Sequence, residues 1–303
     1  MDIFDCAIIG AGPAGLNAAL VLGRARRRVV LFDNDTNRNR VTKAAHGFMT
    51  REGVKPAELR QLALAELGQF PSVSVHKRTV EQISKANGGE QVFQIMSANK
   101  QIFLAKKILL AAGVHEKFPK ITNIREFYGK SLFSCPYCDG WENRGKPLIV
   151  IAEKQEHVHH MTKLLYNWSK DLVVTTNGHP MSKEMIEEFQ QKQIKVINDQ
   201  VRLIYGNNGN MAGVEFDSGE KIAREAGFIV PSFYRPKPFV EELGCEVKED
   251  GKIVTDDLGR TTIKSVYSAG EFSHAGPASL IIAAAEGSKA AGAINYDLSD
   301  ESF

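Results

Sequence analysis

A strand that runs directly into a glycine-rich turn and then a helix leaves a chain few folds to choose from. Ile3-Phe-Asp-Cys-Ala-Ile-Ile9 is an apolar run of the kind buried in a parallel sheet. Gly10-Ala-Gly-Pro-Ala-Gly15 follows, and a helical segment extends from Ala14 to Arg26. Arg28-Val-Val-Leu-Phe32 makes the next strand and closes on Asp33, 21 residues after Gly12. The GxGxxG motif therefore sits in a full strand–turn–helix–strand setting, which is far more specific than the glycines alone. Gly10 permits the tight turn, Gly12 lets the backbone approach a pyrophosphate, and Gly15 lets the helix lie close to the strand. The helix start offers unpaired amides and partial positive charge to that anion. Asp33 suits ribose hydroxyls and disfavours a 2′-phosphate, so FAD or NAD fits better than NADP.

A helix is expected over Pro56–Gly68, with strands near 73–76, 91–96 and 101–104. Lys107-Ile-Leu-Leu-Ala-Ala-Gly-Val114 reads as another buried strand ending at a glycine. A second strand–helix–strand unit begins at Pro147-Leu-Ile-Val-Ile-Ala152, with a helix over 156–168 and a strand at Leu172–Thr176. Further elements near 181–190, 194–197, 211–216 and 226–230 complete a smaller α/β unit. A long Ala-rich helix, Ala278–Tyr296, ends the pattern, and acidic 297–301 reads as a frayed, solvated tail. The duplicated pattern predicts an α/β fold of two Rossmann-like domains, one inserted in the other. Pro119 and the Pro236/Pro238 pair punctuate the boundaries.

Four cysteines divide into two kinds. Cys6 and Cys245 lie in or beside apolar strands and read as inert buried hydrophobes. Cys135 and Cys138, in Ser134-Cys-Pro-Tyr-Cys-Asp-Gly140, are within disulfide range. At a helix start such a pair has a stabilised thiolate and can exchange. Pro136 suits a first helical position. Zinc would need four ligands, and no second pair exists; His157 and His160 share a helix face but have no carboxylate pattern around them, so no metal is expected. Asp139 suits either proton transfer at the dithiol or a simple turn before Gly140. Arg38 and Arg40 suit either a hold on adenine or pyrophosphate or a solvated loop. His46-Gly47 suits a turn near a flavin ring or at the surface.

With 38 Lys and Arg against 36 Asp and Glu, the chain has no electrostatic footprint for nucleic acid. No stretch reaches the roughly 18–20 apolar residues that span a bilayer. The start, Met-Asp-Ile-Phe-Asp-Cys, has no basic region or cleavage site, and a cytoplasmic protein is expected.

Taken in order, these motifs strongly resemble the low-molecular-weight thioredoxin reductase family. The match includes Gly10–Gly15, Leu110-Ala-Ala-Gly113, Cys135-Pro-Tyr-Cys-Asp-Gly140 and Ser268-Ala-Gly-Glu-Phe272 before the Ala-rich helix. The resemblance implies an FAD domain of residues 1–115 and 236–303, and a pyridine-nucleotide-type domain of 116–235 carrying the cysteines. It implies non-covalent FAD held around Gly10, Gly12, Pro13, Ala14, Gly15, Asp33, Arg40, His46, Ala112, Gly113, Gly270, Glu271 and Ser279. It further implies that Cys138 faces the flavin, that Cys135 exchanges with the partner disulfide, and that Asp139 is acid and base. A homodimer and a thioredoxin-like partner or small dithiol are the corresponding expectations.

Two departures matter. The family's late motif ends Gly-Asp where this chain has Gly270-Glu271, and Arg-Gln at the following helix start is replaced by Ala278-Ser279. The second nucleotide loop should carry glycines near 152 and 154 and a small residue at 157. This chain has Ala152-Glu-Lys-Gln-Glu-His157, placing Cβ atoms and carboxylates where a pyrophosphate should lie. Thr175-Thr-Asn-Gly-His179 also lacks the Arg pair expected for the NADPH 2′-phosphate. The expectation is weak or absent NADPH binding in the usual manner, with reduced ferredoxin or another protein as donor. The alternatives are NADPH held by an unorthodox loop, or a dithiol oxidase that passes electrons to oxygen, which Cys-Pro-Tyr-Cys followed by Trp141-Glu142 resembles more closely.

Overall fold

The computed structural model describes residues 2–86, 92–274, 276 and 279–303. The first stretch holds β1 (Ile3–Ile9), α1 (Pro13–Arg24), β2 (Val29–Asp33), α2 (Pro56–Leu67), β3 (Val73–Lys77), β4 (Val80–Lys85), β5 (Phe93–Ser97) and β6 (Ile102–Leu110). Then come β7 (His115–Lys117), α3 (Ile124–Phe127), β8 (Leu132–Phe133), α4 (Pro136–Asp139), β9 (Leu148–Ile151), α5 (Gln155–Leu165), β10 (Leu172–Thr175) and α6 (Lys183–Gln191). The next strands are β11 (Lys195–Ile197), β12 (Val201–Asn207), β13 (Asn210–Phe216), β14 (Lys221–Ala223), β15 (Ala226–Ile229) and β16 (Ser232–Tyr234). The last stretch adds α7 (Phe239–Leu243), β17 (Val266–Ser268), α8 (Glu271–His274) and α9 (Leu280–Asp300).

The chain divides into two units: unit 1 is Met1–Arg40, Ala57–His115 and Phe233–Phe303, and unit 2 is Val41–Pro56 and Glu116–Ser232. Residues 41–56, expected with the first unit, thus group with the second. The reason is local. A Cβ on Gly129 would lie 2.8 Å from the Val41 carbonyl oxygen, so this segment lies directly on the turn after α3. The later boundary falls at 232/233 rather than at the Pro236/Pro238 pair. Arg235 explains it, since its Nε donates to the Phe272 carbonyl at 2.8 Å and its Nη2 to that of Gly251 at 2.6 Å, both in unit 1.

In unit 1 the strands run in the order β3-β2-β1-β6-β5-β4. β1, β2 and β3 are parallel to β6. β6 is long enough to serve two neighbours along one edge: Ile102–Ala105 pairs antiparallel with β5, and Ile108–Leu110 pairs parallel with β17. The segments read separately as 101–104 and 107–114 are therefore one strand. One sheet face, with Ile8, Leu31 and Leu109, is covered by α1 and α9. The other, with Ile9, Phe32, Phe93 and Ile95, meets Phe239 and Phe272. Each fully buried aliphatic or aromatic side chain contributes about 1.5–3 kcal/mol, so these two layers dominate the stability of the unit.

The acidic end, Asp297–Glu301, is not a frayed tail. α9 continues to Asp300, and Asp297 accepts from Arg260 Nε at 2.8 Å and Nη2 at 2.7 Å and from the Tyr267 hydroxyl. Glu301 pairs at 2.6 Å with Lys107, which is 1% exposed and also donates to Ser265 Oγ. Ala278, expected at the start of this helix, lies outside the described residues, as does Gln91 at the start of the strand expected over 91–96.

Unit 2 has a parallel sheet in the order β11-β10-β9-β15-β8 and an antiparallel sheet β12-β13-β14. β9, β10 and β15 are wholly buried, as the apolar runs at 148–151 and 172–175 require. Among the described residues, no helix is long and apolar enough to cross a membrane.

Candidate active site

The first phosphate loop opens onto a cleft in unit 1. Gly10 has φ +111°, and a Cβ there would stand 2.4 Å from the Ala111 carbonyl oxygen. A Cβ on Gly15 would stand 1.9 Å from the oxygen of Gly10 itself. Those two glycines are demanded by the protein's own backbone. Gly12 differs: a Cβ there meets no protein atom within 4 Å and would project into open space. A glycine at that position makes room for something the chain itself does not supply. It is also the N-cap of α1, whose side chain makes no cap and whose next residue is Pro13, so the helix start stays open to an anion.

Gly10, Gly12, Pro13, Ala14, Asp33, Ala112, Gly113, Gly270, Glu271 and Ser279 line this cleft, while Gly15 lies behind it. Arg40 and His46 do not line it. Arg40 instead donates to the carbonyls of Thr36 and Asn37, and it is Arg38 that reaches the cleft. Sequence reasoning missed Asn34, Thr36, Asn37 and Asn39 on the same rim; a run of short polar residues directly after the ribose-side strand was the available signal. Arg38 binds Glu271 with both ends, Nε to Oε2 at 3.0 Å and Nη2 to Oε1. The longer glutamate thus meets an arginine. Asp33 is 5% exposed, pairs with Arg60 of α2, and accepts from the Asp35 amide at 2.9 Å. Glu286 of α9 accepts from the Gly270 amide at 2.7 Å and from His274 through its other oxygen, so the turn at Gly270 (φ +72°) is held from α9. Backbone amides, small residues and an open helix start lining one cleft fit a dinucleotide such as FAD.

In unit 2, Cys135 and Cys138 are joined as a disulfide, with Cα atoms 5.3 Å apart. Cys135 is the N-cap of α4 and its sulfur accepts from the Cys138 amide at 3.2 Å; Pro136 takes the first helical position. Asp139 follows at the end of that one-turn helix. Burial pushes its carboxyl pKa up to about 7, opposed by His46 and reinforced by Glu142. A carboxyl group that titrates near neutrality can both give and accept a proton. The remaining cysteines, Cys6 and Cys245, are buried, and burial pushes both thiols up. Among the described residues, no three His, Cys, Asp or Glu side chains gather as a metal site. His159 pairs with Glu188 at 2.8 Å.

The second strand–helix turn is built otherwise. Three residues, Ala152–Lys154, connect β9 to α5; Ala152 is buried, and Lys154 caps the helix without a side-chain bond. Gln155 Oε1 accepts from the Ser182 amide at 2.8 Å, tying the start of α5 to that of α6. After β10, Thr175 Oγ1 accepts from the Asn177 amide and donates to the Asp199 carbonyl, while Asn177 Oδ1 accepts from the Val201 amide. Thr176 donates to the His179 carbonyl. The polar groups of this loop are thus used internally, and none is basic apart from His179.

Residues 4–287 match the family model of the pyridine nucleotide-disulphide oxidoreductases. The crystal structure of the thioredoxin reductase-type protein TrxB from Bacillus anthracis superposes with a TM-score of 0.96 at 54% identity, covering 99% of this chain and 100% of that one. The thioredoxin reductase aclD of Aspergillus oryzae is 28% identical over 89% of this chain and 88% of its own length. A probable thioredoxin reductase of Arthroderma benhamiae is 33% identical over 65% of this chain, which spans about half (51%) of that protein. The chain belongs to the pyridine nucleotide-disulphide oxidoreductase family, as a low-molecular-weight thioredoxin reductase-like member that uses FAD in thiol–disulfide exchange.

Proposed function

We propose that this protein oxidises a small dithiol to its disulfide through Cys135 and Cys138, with oxygen as the final acceptor, and that NADPH does not enter at the Ala152–Lys154 turn. The contrast between the two phosphate loops carries this reading. Gly12 leaves open space beside the backbone, whereas the second loop has Cβ atoms at both expected glycine positions, Gln155 is tied to Ser182, and Asn177 after β10 is bonded to Val201. Bound FAD supplies a two-electron relay between the cysteine pair and oxygen. Gly10, Gly12, Pro13, Ala14 and Gly15 bring the backbone to its pyrophosphate; Asp33, Ala112, Gly113, Gly270, Glu271 and Ser279 line the rest of its cleft.

A substrate thiolate attacks Cys135 Sγ, the Cys135–Cys138 bond breaks, and the electron pair leaves on Cys138. The second substrate thiolate then attacks its own sulfur held on Cys135, closing the product disulfide and releasing Cys135. Two electrons have moved from substrate to the cysteine pair. Two protons leave the dithiol, and Asp139, the carboxyl group next to Cys138 in the chain with a pKa raised by burial to about 7, takes and returns them in turn.

A second reading is favoured by the relatives named thioredoxin reductase: electrons enter from NADPH, held in another way, and leave to a thioredoxin-like protein. Reduced ferredoxin is a further donor consistent with the closed second loop. A homodimer and a cytoplasmic location complete the proposal. Anaerobic mixing of the yellow protein with dithiothreitol, NADPH and reduced ferredoxin in turn separates these readings. Bleaching by dithiothreitol, followed on readmitting air by colour recovery and one hydrogen peroxide per dithiol, supports the oxidase. Rapid bleaching by micromolar NADPH overturns it.

A further inference from the structure

α2 packs onto unit 1 through Ala63, Leu64 and Leu67, which join the core layer that holds α1 and α9. One turn earlier on the same stripe stands Arg60, so a position that such a helix fills with an apolar residue carries a guanidinium. Its side chain is only 16% exposed. Nε and Nη2 are enclosed, and Nε has no hydrogen-bond partner among the described residues. Two carboxylates, at the end of β2 and just past it, answer the charge. Nη1 donates to Asp35 Oδ1 at 2.7 Å, and Nη2 pairs with Asp33 Oδ2, which is also enclosed. The Asp35 side chain lies outside, 74% exposed, while its amide, in a left-handed turn at φ +59°, donates to Asp33 Oδ1 at 2.9 Å. The two oxygens of Asp33 are thus fixed separately. Asp33 lines the cleft and Arg60 does not, so a ligand there meets the carboxylate and not the guanidinium.

A carboxylate enclosed to this degree without a cation would give up its charge more readily, and while ionised it would repel a pyrophosphate entering the same cleft. We propose that Arg60 is a positioning residue that fixes Asp33 for the adenosine ribose of FAD, and that it sets the preference of the cleft for a nucleotide with a free 2′-hydroxyl. Its fork engages two carboxylates through two nitrogens, which holds the guanidinium plane and the Asp33 rotamer together. With Oδ2 taken by Arg60, Asp33 meets the cleft through Oδ1, which accepts from the Asp35 amide and keeps a lone pair for a ribose hydroxyl. Two carboxylates to one guanidinium leave the cluster net negative, so a 2′-phosphate is repelled even with Arg60 close by.

This inference rests on the assignment of Asp33 to the ribose. The test uses the full chain stripped of flavin and reloaded, with FAD binding followed by flavin fluorescence and with ADP, 2′-deoxy-ADP and 2′-phospho-ADP as competitors. The parent should prefer ADP to 2′-deoxy-ADP by roughly tenfold. Arg60→Met, which suits the apolar stripe, should weaken FAD roughly tenfold or more and bring ADP and 2′-deoxy-ADP to within about twofold of each other. Arg60→Lys keeps the charge without the fork and should fall between. In an Asp33→Asn background, Arg60→Met should change FAD affinity by less than about twofold. That pair and Arg60→Lys carry the comparison if Arg60→Met alone does not fold. Variants that weaken FAD, ADP and 2′-deoxy-ADP by the same factor, or not at all, show a bond that only ties α2 to β2 and overturn the proposal. So does a parent that binds 2′-phospho-ADP more tightly than ADP and loses that advantage in Arg60→Met, which would make Arg60 a phosphate ligand. A parent that does not distinguish ADP from 2′-deoxy-ADP overturns the ribose assignment of Asp33 and this inference with it.

Discussion

The carbonyl oxygen of Ala14 lies so close beneath Gly287 that a Cβ on the glycine would stand 2.0 Å from it. α9 therefore crosses α1 backbone to backbone, at a residue that also lines the cleft. Gly287→Ala gains up to about 1 kcal/mol of helix propensity. The clash is with backbone, which cannot swing aside, and overpacking costs about 1–3 kcal/mol or more. Sterics win, so the variant should have a lower urea midpoint and release FAD faster than the parent.

Gly12 and Gly15 should fail in different ways. A Cβ at Gly12 meets no protein atom, so Gly12→Val should keep the circular dichroism and unfolding midpoint of the cofactor-free parent while losing most bound FAD. A Cβ at Gly15 would lie 1.9 Å from the Gly10 oxygen, so Gly15→Val should lower stability with or without FAD. Equal FAD retention by Gly12→Val and the parent would remove the pyrophosphate assignment.

Asp139→Asn separates chemistry from stability. The Asp139 pKa is raised by burial, to about 7, so its contribution to stability is complete below the ordinary aspartate range and is lost as pH rises through 7. Asparagine does not ionise. Relative to the parent, the variant should gain resistance to urea on going from about pH 4 to pH 8, by a few kcal/mol at most. Its dithiol-driven bleaching should instead fall by roughly 10²-fold or more and lose any inflection near neutrality. A parallel stability profile for the two proteins would show that the carboxyl group is not buried in solution.

Asp297 behaves with the opposite sign. The bonds from Arg260, with those from Tyr267, hold its carboxyl below the usual range, so its stabilisation is present above about pH 4 and lost as pH falls through the lowered value. The group is about a quarter exposed, which limits the effect. Asp297→Asn should cost about 1–2 kcal/mol at pH 7, with the gap to the parent narrowing in acid. Urea titrations at several pH values measure it.

The glycine turn, the strand before it and the cysteine pair were legible because each is specified within a few residues: Gly10 answers to φ +111° and Gly15 to its neighbour's oxygen. What was illegible depended on partners distant in the chain. Acidic 297–301 looked like a solvated end because Lys107, Arg260 and Tyr267, which neutralise or bind it, come from other segments. Glu271 was read as a direct substitute for aspartate, and nothing local announced that Arg38, 233 residues earlier, would take both its oxygens. Residues 41–56 were read as part of the first unit because they follow its second strand; what claims them is the turn at Gly129 and the pair Glu142–His46. Periodicity reports which face of an element is apolar, not which distant surface will cover it.

The crossing of α1 by α9 also bears on how the protein is made. α1 spans 13–24 and α9 spans 280–300, so α1 emerges from the ribosome long before its neighbour exists. During that interval the small-residue face around Ala14, Ala18 and Ala19 is uncovered, and the turn at Gly270 has not yet been made. The cofactor cleft is therefore completed only once α9 has been made, after unit 2 has had time to fold on the nascent chain. Cofactor capture thus follows the folding of unit 2, and a shortage of flavin would leave α1 shielded by α9 alone.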